Sequence, residues 1–375
     1  MVGWGLLGHI VPIYPLYALL FADTGLSAAE ISGLFLIWSS VGIAAEVPFG
    51  ALADRFSRRS SMVAGAALQA LGYVLWTSLP GFPGFAAGFV LWGLGSALVS
   101  GSREALLHDG LAAVGAEECY ARVNGLVISA GFVAQLPAAG LATVLFSAGG
   151  YPLAGWTSVG CCLATALFAT RLPEPPGQES EESYVATLRD GLSEVTALPV
   201  VRDAALAAAL FGGLDAFEEY FPLMARDWAV PTELIPPAMA LTALAGAVGS
   251  ALGGPAARLR TWTLGLVLGV AGVALGVAAV LRVPWGLALI VGFYGLYRAV
   301  LVVVDSRLQE RIESSSRATV TSVAALGVEV AALLVYAAWA LGESLAVAVL
   351  VVVLAGLVPR LLRARSGVRA PRSWA

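Results

Sequence analysis

The chain has 375 residues, 59% of them hydrophobic and 12% charged, with a mean hydropathy of +0.84 and a formal net charge of −4. That is more apolar material than a soluble core holds, so the chain reads as a membrane protein, and the small acidic balance excludes nucleic acid as a partner. Its basic side chains are all Arg, with no Lys, which excludes a P-loop and any Schiff-base cofactor.

About 20 apolar residues cross a ~30 Å hydrocarbon layer as a helix. The first such stretch, Gly3–Phe21, has no basic leader and contains Pro12, Tyr14, Pro15 and Tyr17, so it reads as a retained span, not a cleaved signal. Five more follow: Ile31–Leu52, Met62–Leu79, Phe85–Leu106, Val123–Phe146 and Gly150–Ala169. The one long polar segment comes next, Pro- and Glu-rich at first, then with Val185, Leu188, Leu192 and Val195 at helical spacing. It reads as a linker that includes either an amphipathic surface helix or a solvated connector. The second set is Ala204–Met224, Ala238–Ala256, Trp262–Leu281, Trp285–Val304, Thr319–Leu341 and Leu345–Leu362. The expected domains are therefore 1–171 and 204–362, each a six-helix bundle, joined by a linker at 172–203 and followed by a tail at 363–375.

Arginines crowd every second connection and the C-terminal tail, whereas the alternate connections hold only Arg226 and Arg282. Positive charge stays on the cytoplasmic side, so both termini are expected in the cytoplasm and the number of spans is even. Cys119 lies in a polar connection, and the neighbours Cys161 and Cys162 point apart on a helix, so neither a disulfide framework nor a metal site is indicated.

The halves repeat. Gly50-Ala-Leu-Ala-Asp54-Arg55 recurs as Gly253-Gly-Pro-Ala-Ala-Arg258, and Asp109 precedes Arg122 by nearly the interval from Asp305 to Arg317. Such repeats put a solute site between the halves near the bilayer midplane.

The run from Gly50 through Asp54, Arg55, Ser57, Arg58 and Arg59 resembles the loop motif between the second and third helices of the major facilitator superfamily, with Ser57 where the family has Gly. The resemblance implies twelve transmembrane helices in two pseudo-symmetric bundles, an all-α membrane protein that normally acts as a monomer. It also implies that Gly50, Asp54, Arg55, Arg58 and Arg59 form a latch on the cytoplasmic face. Gly50 permits close helix approach, and Asp54 can accept from a helix N-terminus or an Arg. Gly131 and Pro137-Ala-Ala-Gly140 resemble a Gly- and Pro-rich motif of proton-coupled antiporters, with Leu136 where that motif has Gly.

Charges inside the apolar stretches mark function, since each costs roughly 2.5–3.5 kcal/mol at mid-bilayer. In the seventh span Asp215 stands three and four positions before Glu218 and Glu219, which on an α-helix puts three carboxyls on overlapping faces. They cannot all stay ionised in a low dielectric, so the group is expected to share a proton. Arg103 and Glu104 in the fourth span and Tyr294, Tyr297 and Arg298 in the tenth are cavity candidates, with an ion pair from Arg298 to Glu104 or Glu329 as the alternative. Tyr14 and Tyr17 could line the same cavity or simply pack, His9 is a lone histidine, and Glu46 and Glu329 suit gating or inter-helix roles.

The expected function is a secondary carrier of a small organic solute in the inner (plasma) membrane, working by alternating access with the proton as coupling ion and efflux by antiport as direction. Uptake by symport and a non-transporting receptor of the same fold are the alternatives. The lipid bilayer and a small solute are the expected partners, no cofactor or metal is expected, and the lack of a metal-ligand cluster argues against an enzyme.

Overall fold

A computed structural model describes residues 1–55, 57–174, 193, 198–311 and 317–362. The expected amphipathic helix and the tail at 363–375 lie outside the described residues, as do the side chains of Glu46, Gly50, Asp54 and Arg55.

The described chain is all helical, with helices α1 Val2–Gly8, α2 Tyr17–Asp23, α3 Ala28–Arg55, α4 Arg58–Ser78, α5 Phe82–Ala112 and α6 Tyr120–Ala169 in the first half. The second half contains α7 Pro199–Gly213, α8 Phe221–Asp227, α9 Ile235–Ala251, α10 Gly253–Ala256, α11 Thr261–Leu281, α12 Leu287–Gln309 and α13 Arg317–Leu361. Seven of the described helical stretches are long and apolar enough to cross a bilayer. Two of these, α6 and α13, turn back at non-helical pairs and hold two spans each, at Gly149-Gly150 and at Gly342-Glu343. With α4 and the broken first and seventh spans, the total is twelve.

Local chemistry starts the helices where expected. Ser27 and Glu30 form a reciprocal capping box at α3, with Ser27 N donating to Glu30 Oε2 at 2.8 Å and Glu30 N to Ser27 Oγ at 3.3 Å. Ser57, the departure from the family motif, caps α4 by accepting from Ser60 N at 3.0 Å.

The first span is not one helix. Proline removes an amide donor and blocks the preceding turn, so Pro12 and Pro15 separate α1 from α2. The amide of Ile13 that this leaves over donates to Ser158 Oγ of the sixth span at 2.9 Å, as backbone polar groups in hydrocarbon must find partners inside the protein.

Packing repeats the sequence symmetry. The first span lies on the fifth, through Gly5 against Val127, as the seventh lies on the eleventh, through Gly213 against Ala331. The third meets the sixth at Gly155 and Thr77, as the ninth meets the twelfth at Gly265 and Ala355. Helix α3 packs on α5 as α9 packs on α12. Between halves, the second span reaches the eleventh through Ser39 and Glu329, and the fifth reaches the eighth through Thr143 and Glu233.

We call the face on which α1 begins proximal and the other distal. One apolar core runs through both halves, joined where Phe35 packs on Tyr220 at 5.2 Å and Tyr336 at 5.7 Å. A separate cluster of Trp4, Met62, Leu106, Ala169 and Leu172 sits proximally in the first half.

Candidate functional site

Between the halves lies a cavity of about 530 Å³. Tyr14, Glu218 and Glu219 line its deep end, Gln69, Tyr73 and Trp92 its flank, and Trp4, Val99 and Arg103 the part nearer the proximal face. The walls differ: Glu218, Glu219 and Met239 come from the second half, while His9, Gln135, Cys162 and Arg103 come from the first.

The acids are arranged differently from the α-helical expectation. Residues Leu214–Tyr220 form a 3-10 helix between α7 and α8. Two features around it favour the tighter winding. Pro222 has no amide to donate to the Glu218 carbonyl, which instead receives Phe221 N. Gly213 is pressed so close to the eleventh span that a Cβ there would lie 2.6 Å from Ala331 Cβ. A 3-10 helix turns about 120° per residue, so Asp215 and Glu218 eclipse and Glu219 points a third of a turn away.

The partners follow that split. Tyr294 hydroxyl lies 2.7 Å from Glu218 Oε2 and 3.2 Å from Asp215 Oδ1, all within the second half. Arg298 Nη1 donates to Asp215 Oδ2 at 2.9 Å and stacks at 6.0 Å over the Tyr294 ring. Glu219 faces the other half, where Tyr14 donates to Oε1 at 3.3 Å and Tyr17 donates to Oε2.

Several expectations are corrected by this geometry. Arg298 pairs with Asp215, not with Glu104 or Glu329, because the eclipsed Asp215 is the acid turned toward α12. Tyr297 is fully buried and donates to Phe211 O at 2.9 Å, making it a helix-packing residue. Tyr294 acts on the acids from behind the cavity wall, and Tyr17 likewise meets Glu219 from within the aromatic core. Glu104 is exposed and takes Arg103 Nη2 at 2.9 Å, whereas Arg103 lines the cavity with its Nε buried and unpartnered. Glu329 accepts from Ser39 at 3.2 Å across the halves. His9 lines the cavity with Nδ1 2.7 Å from Gly5 O.

At the proximal face, Arg58 pairs with Asp109, and Glu174 accepts from Ser57 Oγ at 2.6 Å and from Arg59 N at 3.1 Å. The first contact stays within the first half, and the second ties the start of α4 to the beginning of the linker. Burial pushes the Glu174 carboxyl up, but the Ser57 hydroxyl, the Arg59 amide and the Arg59 charge outweigh it and hold the group below its ordinary value.

Other cross-half contacts escaped the sequence reading. Ser32 Oγ meets Tyr220 OH at 2.9 Å, and Arg226 Nε donates to Asp23 Oδ1 at 2.8 Å on the distal side, where Tyr151 also donates to Asp23 at 2.6 Å. The repeat contained the signal. From Gly50 to Gly253 is 203 positions, and the same 203 positions separate Asp23 from Arg226. Equivalent residues on helices related by a pseudo-two-fold axis meet when they lie near that axis.

The family model described as Major Facilitator Superfamily matches residues 2–336. Among curated proteins, no sequence matches the chain. Solved structures with the same fold include the nucleoside transporter NupG, with a TM-score of 0.75 at 12% identity, covering 96% of this chain and 95% of that one. A bacterial homologue of the human lysosomal transporter Spinster, inward-facing and occupied, has a TM-score of 0.73 at 15% identity, covering 96% and 94%. The D-xylose-proton symporter has a TM-score of 0.71 at 14% identity, covering 95% and 96%. The twelve spans, the two packed halves and this match together say that the chain belongs to the Major Facilitator Superfamily.

Proposed function

We propose that the protein exports a small organic solute in exchange for protons by alternating access, with Glu218 carrying the proton and Glu219 tying the two halves together. The single observation behind this reading is the Tyr294 hydroxyl. It has one hydrogen to give, yet it touches both Asp215 and Glu218. Asp215 already has Arg298 as its counter-charge, so a proton on Glu218 resolves the count: Glu218 donates to Tyr294, and Tyr294 donates to Asp215. Glu219, by contrast, receives two phenolic hydrogens, the pattern that suits an ionised carboxylate.

Two consequences support exchange over co-transport. Glu218 lies on the cavity surface, so a solute that needs its negative charge must displace the proton. Glu219 is bound to Tyr14 and Tyr17 only while the first and seventh spans are together, so a ligand on Glu219 competes with the cross-half bond.

The arginine distribution makes the proximal face cytoplasmic, and the named cross-half contacts at Asp23, Ser32, Ser39 and Thr143 lie at mid-span or distally. The conformation is accordingly read as inward-facing, with residues 1–171 and 204–362 as the bodies that rock and a single chain as the working unit.

The test is reconstitution in liposomes with an internal pH dye and a panel of solutes. Addition of a transported solute should move protons opposite to the solute, and Glu218→Gln should abolish that proton signal. An unchanged proton signal in Glu218→Gln would overturn the assignment, protons moving with the solute would indicate symport, and no solute movement at all would favour a receptor.

A further inference from the structure

The cavity has an acidic end and an end with unused hydrogen-bond donors, and their separation selects for length. Glu219 takes its hydrogen bonds from Tyr14 and Tyr17, and Tyr17 packs 6.1 Å from Phe89 and 5.5 Å from Trp76. Trp92, one turn beyond Phe89 on α5, donates to Tyr73 at 2.9 Å and lines the cavity close to that level. Arg103 comes eleven residues after Trp92 on the same helix, or about 16 Å of rise at 1.5 Å per residue. Helical side chains lean toward the helix N-terminus, which here means back toward Trp92, so the guanidinium and the carboxylates stand roughly 10–15 Å apart.

Each end has unused capacity. At the deep end, Glu218 and Glu219 have tyrosine hydroxyls as partners and, among the described residues, no basic side chain within ion-pair distance. At the shallow end, Arg103 gives Nη2 to the exposed Glu104, but its Nε is buried without an acceptor, and so is the indole Nε1 of Trp4, which lines the same part of the cavity. Buried donors without acceptors are costly, so a solute that supplies an acceptor there gains by it. Between the ends the surface is mostly aromatic and aliphatic, with Trp92, Tyr73 and Val99 among its members.

We infer that the solute is an elongated organic amine: a cationic head on Glu218 and Glu219, an apolar body along α5, and a carboxylate or other strong acceptor at the far end on Arg103 and Trp4. This rests on the reading of the cavity as the solute site. Compact amino acids, whose charges sit a few ångströms apart, reach only one end at a time, and hydrocarbons without charge satisfy neither.

Isothermal titration calorimetry on the purified full chain tests it without any proton gradient, using 4-aminobutanoate, 8-aminooctanoate, 11-aminoundecanoate and octylamine as probes. The two longer amino acids should bind at least about tenfold more tightly than 4-aminobutanoate, as expected for a second charge-assisted contact. Arg103→Gln should erase the advantage of 8-aminooctanoate over octylamine while leaving octylamine binding intact, which also shows that the variant is folded. Glu218→Gln/Glu219→Gln should weaken all four. Equal binding of short and long amino acids, equal loss of octylamine and 8-aminooctanoate in Arg103→Gln, or no binding of any probe would overturn the inference. A coupled proton signal with some other solute would, in that event, leave the transport reading standing.

Discussion

At the residue scale, magnitudes decide which contacts govern closure of the distal side. Asp23 and Arg226 are each more than a third exposed, and an ion pair of that kind contributes ~0–1 kcal/mol. The Tyr17 bond to Glu219 is buried and the Tyr14 bond part-buried, and both reach a carboxylate, where such bonds are worth roughly 1.5–3 kcal/mol each. Glu219→Gln should therefore shift the conformational balance far more than Asp23→Asn, by on the order of 2–4 kcal/mol against less than 1. Double electron-electron resonance between distal labels on the two halves would check this, with equal shifts in the two variants counting against it. Glu174 gives the pH dependence. Its folded-state value is held below the ordinary carboxylate range, so its contribution is present above that range and lost as pH falls through the folded value. The difference in unfolding midpoint between the protein and Glu174→Gln should be full near neutrality and vanish as the solution is acidified below the ordinary carboxylate range, and a difference that grows on acidification would contradict the assignment.

At the element scale, the informative pieces are those where helix gives way to something else. The two half-closing turns have the same form: Gly149 and Gly342 leave the helical region at φ −159°, ψ 18° and φ −164°, ψ 23°, and the next residues have positive φ, +63° and +51°. Gly150 adopts that backbone without strain, but Glu343 does not, because ψ of −144° with positive φ is a region nearly reserved for glycine. Its ion pair with Arg282 at 3.3 Å is exposed and offsets little. Glu343→Gly should raise stability by about 1 kcal/mol, seen as a higher unfolding temperature in detergent. A lower temperature would mean that the Arg282 contact outweighs the strain. Close packing makes the opposite prediction at Gly249, where an added Cβ would lie 2.0 Å from Gly295 O. Gly249→Val must push α9 from α12 and should cost several kcal/mol, measured as a lost or strongly lowered folded yield.

At the scale of the whole molecule, the reading as an inward-facing carrier predicts one-sided access. Ser100 lines the cavity on the fourth span and is exposed. In a Cys119→Ser/Cys161→Ser/Cys162→Ser background, a membrane-impermeant thiol reagent should modify the Ser100→Cys variant from the proximal side and not from the distal side. Modification from the distal side at equal rate would contradict the closed distal contacts. A bound 8-aminooctanoate should slow the reaction from the proximal side.

The arrangement of spans and the internal repeat were legible in the chain, because hydrocarbon imposes length and apolarity on each segment separately. The acids of the seventh span were legible as residues but not as an arrangement. Pro222 is a local cue for the 3-10 winding of Leu214–Tyr220, but the other cause, Ala331 pressing on Gly213, comes from a helix more than a hundred residues away. The same holds for Arg298, whose partner could be named only once the eclipsed Asp215 faced α12, and for Asp23, which meets Arg226 only through the pseudo-two-fold axis. By itself, then, the sequence determined a twelve-span membrane protein with ionisable groups in its interior, since solvation energy acts locally on each residue. Only the tertiary structure decided which acid pairs, which one ties the halves together and which lies open to the cavity, because those outcomes depend on distances between helices that hydropathy does not encode.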